Sequence, residues 1–161
     1  MTDIANAAGL AVPALYRYFP NRQAIVRELA MRSFAADAEF TVTAALESQG
    51  AGRDDVEELV VAYCRLRLAD PVRLSVRAAV HADSELSRLD LEGSRENASL
   101  MADVLDGTIE GVDRATLERR LLIVVETVDS VIRLAARSPE DAEAIIAEFA
   151  AGAADSIFRA A

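Results

Sequence analysis

Apolar residues recur along this chain three and four positions apart, and no window shows the strict alternation that a half-buried strand requires. That spacing puts successive apolar side chains on one face of a helix, so the fold class it predicts is all-α. At 161 residues the chain has room for one good core, or for a small module beside a larger one. No apolar run reaches the roughly 18 residues of a membrane span. No positively charged start leads into an apolar run either, so a soluble protein of the cytoplasm with no membrane partner is expected.

Local signals divide the chain into helices. "DIANAA" makes a short first helix with Ile4, Ala5 and Ala8 on its buried face, and Gly9 supplies the left-handed residue that ends it. A second helix covers about 12–18, with Pro13 tolerated in its first turn. "FPNR" breaks the pattern, and Asn21 is placed to cap a long third helix over about 22–48. "QGAGR" reads as a loop. Helices follow at about 54–69, with Asp54 or Asp55 at the N-terminal dipole, and at about 71–82, opened by Pro71. Residues 83–90 read as a turn or irregular helix. A helix over about 91–108 carries Leu91, Leu100, Met101, Val104 and Leu105. After the connection "GTIEGVD" come helices at about 114–137 and 139–159. Between them stands "SPED", with Ser138 as cap, Pro139 first in the helix and acidic residues in its first turn.

The last two helices are apolar on more than one face. The expectation is a two-fold dimer in which this pair packs on its mate as a four-helix bundle, through Leu121, Val125, Val128, Ile132, Ile145, Ile146, Phe149 and Ile157. The alternative is a purely intramolecular core. Glu126, Asp129 and Arg133 interrupt the apolar run, with pairing along the helix or across the dimer as their default role.

Charge is unevenly placed. The chain holds 17 basic residues, all Arg, against 27 acidic ones, for a net −10. Residues 1–33 nevertheless carry Arg17, Arg22, Arg27 and Arg32 against only Asp3 and Glu28. A basic head on an acidic body can meet a phosphate backbone, because screening over roughly 8–10 Å hides the body from what docks at the head. The single cysteine, Cys64, has no partner for a disulfide or a metal site and reads as a small buried hydrophobe. No nucleophile elbow, phosphate loop, metal-ligand spacing or histidine–carboxylate constellation is present, which argues against an enzyme and against any cofactor or metal.

In "IANAAGLAVPALYRYF", small Ala5, Gly9 in the turn and inward Leu15 have helix-turn-helix spacing. With Ile4, Ala8, Leu10, Tyr16, Tyr18, Phe19, Arg22 and Ile25, the stretch resembles the DNA-binding motif of the tetracycline-repressor (TetR) family of transcriptional regulators. The resemblance implies a partial helix-turn-helix domain at 1–33 and a helical ligand-binding and dimerisation domain at 34–161. It implies a ligand-responsive regulator, a repressor released by a small apolar or amphipathic inducer, with operator DNA and a second copy of the chain as partners. Thr2, Val12, Pro13, Ala14, Tyr16, Arg17, Tyr18 and Arg22 are then the candidate DNA contacts. The second helix would read the major groove, with the Tyr hydroxyls and Arg17 at bases or phosphates and Arg22 at a helix start facing a phosphate. Half-buried packing for each Tyr and solvated surface for Arg17 are the alternatives.

Two departures from the family pattern stand out. Residues 11–14 read Ala-Val-Pro-Ala where the family commonly places Ser, Lys or Arg, Gly and Thr. Base readout would then lean on thymine methyls met by Val12, Pro13 and Ala14. The family also carries a helix ahead of this motif. Its absence here predicts a late start, a shortened chain, or a relative that keeps dimerisation and ligand binding with little DNA binding. The implied inducer pocket lies within helices 22–137, with Phe34, Tyr63, Arg77, His81 and Met101 as candidates. Arg77 and His81, four apart on one face, could meet an anion. A carboxylate partner for Arg77 and a partly exposed or core position for His81 are the plainer readings.

Overall fold

The computed structural model describes residues 1–47 and 52–160, and among these every regular element is a helix. In chain order they are α1 (Thr2–Ala7), α2 (Val12–Tyr18), α3 (Arg22–Glu47), α4 (Arg53–Leu68), α5 (Pro71–His81), α6 (Ser84–Leu105), α7 (Arg114–Arg137) and α8 (Ala142–Phe158). The end of the third helix at 48 and most of "QGAGR" fall outside the described residues.

Several boundaries follow the expected capping chemistry. Gly9 takes φ 65° after α1, and the Ala24 N–H donates to Asn21 Oδ1 at 2.9 Å to start α3. Pro71 is the first residue of α5, whose cap is the Asp70 side chain, accepting from the Val72 and Arg73 N–H groups at 3.0 and 3.1 Å. Three boundaries differ from expectation. Residues 84–90 are not irregular: they form the start of α6, because Asp83 Oδ1 accepts from both Glu85 and Leu86 N–H at 3.0 Å. That helix stops at Leu105 rather than 108, since Gly107 adopts a left-handed φ of 71°. Nor does Ser138 cap the last helix. It is the C-cap of α7, Pro139 to Asp141 form a turn closed by the Asp141 N–H on the Ser138 carbonyl, and α8 begins at Ala142.

The body packs α4, α7 and α8 against one another, with α6 against α7 and α3 against both α5 and α6. Its main core gathers Ala45, Val56, Ala98, Met101, Ala102, Leu105, Leu117, Leu121, Ala154 and Ile157. A second cluster joins Cys64, Val128, Ile132, Ala135, Ala142 and Ile146, and a third joins Ala30, Val76, Val80 and Leu86 below Phe34. This corrects the expected dimer face: Leu121, Val128, Ile132, Ile146 and Ile157 are buried inside the protomer, Ile146 fully so, and offer no surface to a second copy. Val125, Ile145 and Phe149 are only half-buried. The intramolecular alternative accounts for the buried set, because α4 covers the side of the α7–α8 pair that the sequence left without an assigned neighbour. Arg133 donates to Ser130 Oγ at 3.0 Å rather than pairing with Glu126, which stands exposed.

Candidate nucleic-acid interface and ligand cavity

The head is built from α1, α2 and the start of α3. The Gly9 N–H donates to the Asn6 carbonyl at 3.1 Å and the Leu10 N–H to the Ala5 carbonyl at 2.9 Å, which closes the turn between α1 and α2. Ala5 and Leu15 are buried between the two helices. Ala11 caps α2 with no side-chain hydrogen bond, as its methyl group dictates. With Leu15 turned inward, Pro13, Tyr16 and Arg17, spaced i, i+3 and i+4, form the exposed face of α2. Tyr16 is 48% and Tyr18 72% exposed. Thr2 and Arg22 are exposed, while Val12 and Ala14 are half-buried and show less surface than Pro13.

Ion pairing divides the four head arginines. Arg27 pairs with Glu85 at the start of α6 at 2.9 Å, and Arg32 pairs with Glu28 at 2.8 Å. Arg17 and Arg22 take part in no ion pair among the described residues, so their charge is available to a phosphate.

The body holds two adjoining cavities that share Asp37, Tyr63, Asn97 and Val125 as walls. The first, of about 110 Å³, is lined almost wholly by apolar side chains from α3, α4, α6, α7 and α8, among them Phe40, Leu59, Val60, Met101 and Val124. It is far larger than the ~10–15 Å³ a single water needs, yet offers water few partners. The second, of about 70 Å³, is lined by Phe34, Arg77, Asp90, Ser94 and Asp129 as well as the shared walls. Of the expected pocket residues, Tyr63 and Met101 reach the first cavity and Phe34, Tyr63 and Arg77 the second. His81 reaches neither: it is exposed at the last residue of α5, beyond both cavities.

The second cavity is bounded by a buried ion-pair network. Arg67, only 1% exposed, donates from Nη1 to both oxygens of Asp37 at 2.7 and 2.6 Å and faces Asp129 Oδ1 at 3.5 Å. Arg77 pairs with Asp90 and Asp129, and Arg73 lies 3.5 Å from Asp37. Burial works against the charge on Arg77, but Asp129 and Asp90 hold its pKa above the usual guanidinium value. Burial, then the neighbouring Asp37 carboxylate, pushes the Tyr63 hydroxyl up, so it stays protonated. Burial pushes Asp90 up despite its Arg77 partner. Cys64 lies fully inside the core, pushed up to about 11 by burial and by Asp129, as befits an inert thiol.

Sequence reasoning missed Asp37, Asp90 and Asn97 as cavity residues, and Arg67 and Arg73 as members of the ion-pair network beside them. A signal was present for Arg67, which continues the buried register of α4 through Val56, Val60 and Cys64. A charge on that register needs a buried partner. Asp37 carried no such mark, because it sits between Ala36 and Ala38.

Residues 1–29 match the family model for bacterial regulatory proteins of the tetR family. Residues 51–160 match the model for the tetracyclin repressor-like C-terminal domain. No curated protein and no solved structure matches the chain.

Proposed function

Because the chain belongs to the tetR family of bacterial regulatory proteins and is a DNA-binding transcriptional regulator, we propose that it is a repressor released from its operator by a small apolar or amphipathic molecule held in the paired cavities. The observation that carries this reading is the continuity of α3. One helix runs from Arg22, at the edge of the head, to Asp37, Phe40, Thr41 and Ala44 in the cavity walls. A helix of 26 residues is about 39 Å long at 1.5 Å per residue, so a small tilt at the cavity becomes a displacement at the reading face. The proposed division of labour is a reading head around residues 1–33 and a ligand-holding body over 34–161, with α3 shared between them.

On this reading Pro13, Tyr16 and Arg17 face the groove, Val12 and Ala14 add apolar contact at its edge, and Thr2, Tyr18 and Arg22 meet the backbone. The regulator acts as a homodimer, since two heads must sit about 34–36 Å apart to enter successive major grooves. With the inward side chains of α7 and α8 committed to the core, the dimer surface is the outer stripe of that pair. On α7 it carries Ile123 (56% exposed), Thr127, Ser130 and Leu134 (52%). On α8 it carries Ala144, Ala147 and Gly152, small residues that allow close approach. The test is an operator-binding titration of the protein against its Tyr16→Phe, Arg17→Ala double variant. Weaker binding with a shallower salt dependence is expected, and unchanged affinity and slope would remove α2 as the reader.

A further inference from the structure

The charges around the polar compartment are already matched with one another. Asp37 accepts from Arg67 at 2.7 and 2.6 Å and lies 3.5 Å from Arg73, Asp129 faces both Arg67 and Arg77, and Asp90 pairs with Arg77. Glu96, the remaining carboxylate in the wall, is exposed, so water already screens it. The Nε–H groups of Arg67 and Arg77 have no acceptor, but both are buried with no open surface and are closed to an occupant of the cavity. A charged head of either sign would therefore be desolvated with no unpaired counter-ion to meet it. What stays open in the wall is neutral. The Asn97 amide and the Ser94 hydroxyl make no side-chain hydrogen bond among the described residues, and neither is sealed off as those Nε groups are. The two stand three residues apart on one face of α6. Ser94 lines the polar compartment, whereas Asn97 lines both compartments and so stands at their junction.

We infer that the pocket selects an uncharged amphipathic molecule whose hydroxyl or carbonyl oxygen hydrogen-bonds to Asn97 and Ser94, with its hydrocarbon body among Phe40, Val60, Met101 and Val124. This deepens the ligand-responsive reading and rests on it. An amide and a hydroxyl each donate and accept, so they satisfy an oxygen head of either kind and offset the loss of its water. The junction position of Asn97 puts the head where the wall turns polar and leaves the body in the compartment lined almost wholly by apolar side chains. An ammonium or carboxylate head would have to break an existing ion pair to find a partner, and the displaced charge would then stand buried and alone.

The experiment is calorimetric titration and thermal shift of the protein near neutral pH with hexanol, hexane, hexylamine and hexanoate, which share one apolar body. Hexanol is expected to bind about tenfold or more tighter than either charged relative. The chain's net charge of −10 by itself favours the amine, so unspecific attraction cannot produce that order. Asn97→Leu should weaken hexanol about fivefold while leaving hexane binding in place. Asn97→Asp, close in shape to the original, adds a carboxylate without a counter-ion and should turn the preference toward hexylamine. Hexylamine or hexanoate binding as tightly as hexanol overturns the inference but leaves the pocket standing. A hexanol affinity indifferent to both substitutions places the head elsewhere and also overturns it. No heat and no shift with any of the four removes the pocket reading along with the inference.

Discussion

Arg17 and Arg22 differ from Arg27 and Arg32 in what holds them: the first two meet no carboxylate among the described residues, and the second two are paired with Glu85 and Glu28. A phosphate contact requires an unpaired guanidinium. Arg17→Ala is therefore expected to lower the salt slope of operator binding by about one, while Arg32→Ala leaves the slope unchanged; filter binding across a salt series checks both. Inside the body, Arg67→Met leaves Asp37 buried without its main partner and Asp129 with only Arg77, and a loss of about 3–5 kcal/mol in denaturant unfolding is expected. Asp113, which caps α7, gives a pH test. Its pKa is lowered chiefly by the Thr116 N–H, with the Thr116 hydroxyl adding to it. A depressed folded pKa stabilises above the ordinary carboxylate range and loses that stabilisation as pH falls through the folded value. Against Asp113→Asn, which keeps the cap but not the charge, the wild-type advantage in melting temperature should be largest near neutral pH and vanish in acid. The motif residues were legible because side-chain type and spacing alone mark them. The ion network was not, since its partners come from five helices whose juxtaposition no local pattern encodes.

Helices were legible where a residue could be read as one thing only. Gly9 reads as a left-handed terminator, and its φ of 65° bears that out. No atom lies within 4 Å of a Cβ built there, so the cost of Gly9→Ala is conformational, about 1–2 kcal/mol. Gly9→Asn should cost less, because Asn tolerates that region. Equal melting temperatures for the three proteins would contradict the assignment. Asp83 was harder to read: "HADSEL" offers both Asp83 and Ser84 as caps, and only the two N–H groups on Asp83 Oδ1 show which one starts α6. At Ser138 a strong cap-and-proline signal pointed to the wrong helix, since a serine after Arg137 ends α7 as readily as it begins α8. The buried faces of α7 and α8 were identified as apolar, but their partner was not, because amphipathicity says that a face is covered and not by what.

At the scale of the whole molecule, two substitutions separate core from dimer. Ile146 is fully buried within the protomer, so Ile146→Ala should cost about 2–5 kcal/mol of stability and leave association intact wherever the protein stays folded. Ile123→Glu, on the outer stripe, should leave the melting of the protomer nearly unchanged and shift sedimentation from dimer to monomer. A dimer that survives Ile123→Glu would place the interface elsewhere. The central claim is that occupancy of the paired cavities is transmitted through α3 to the head. It is tested most directly by operator affinity, measured by fluorescence anisotropy, with and without a compound that raises the melting temperature of the protein. The account predicts that the DNA is released over the same concentration range in which the compound fills the pocket. A compound that saturates the pocket while operator affinity holds constant would contradict it.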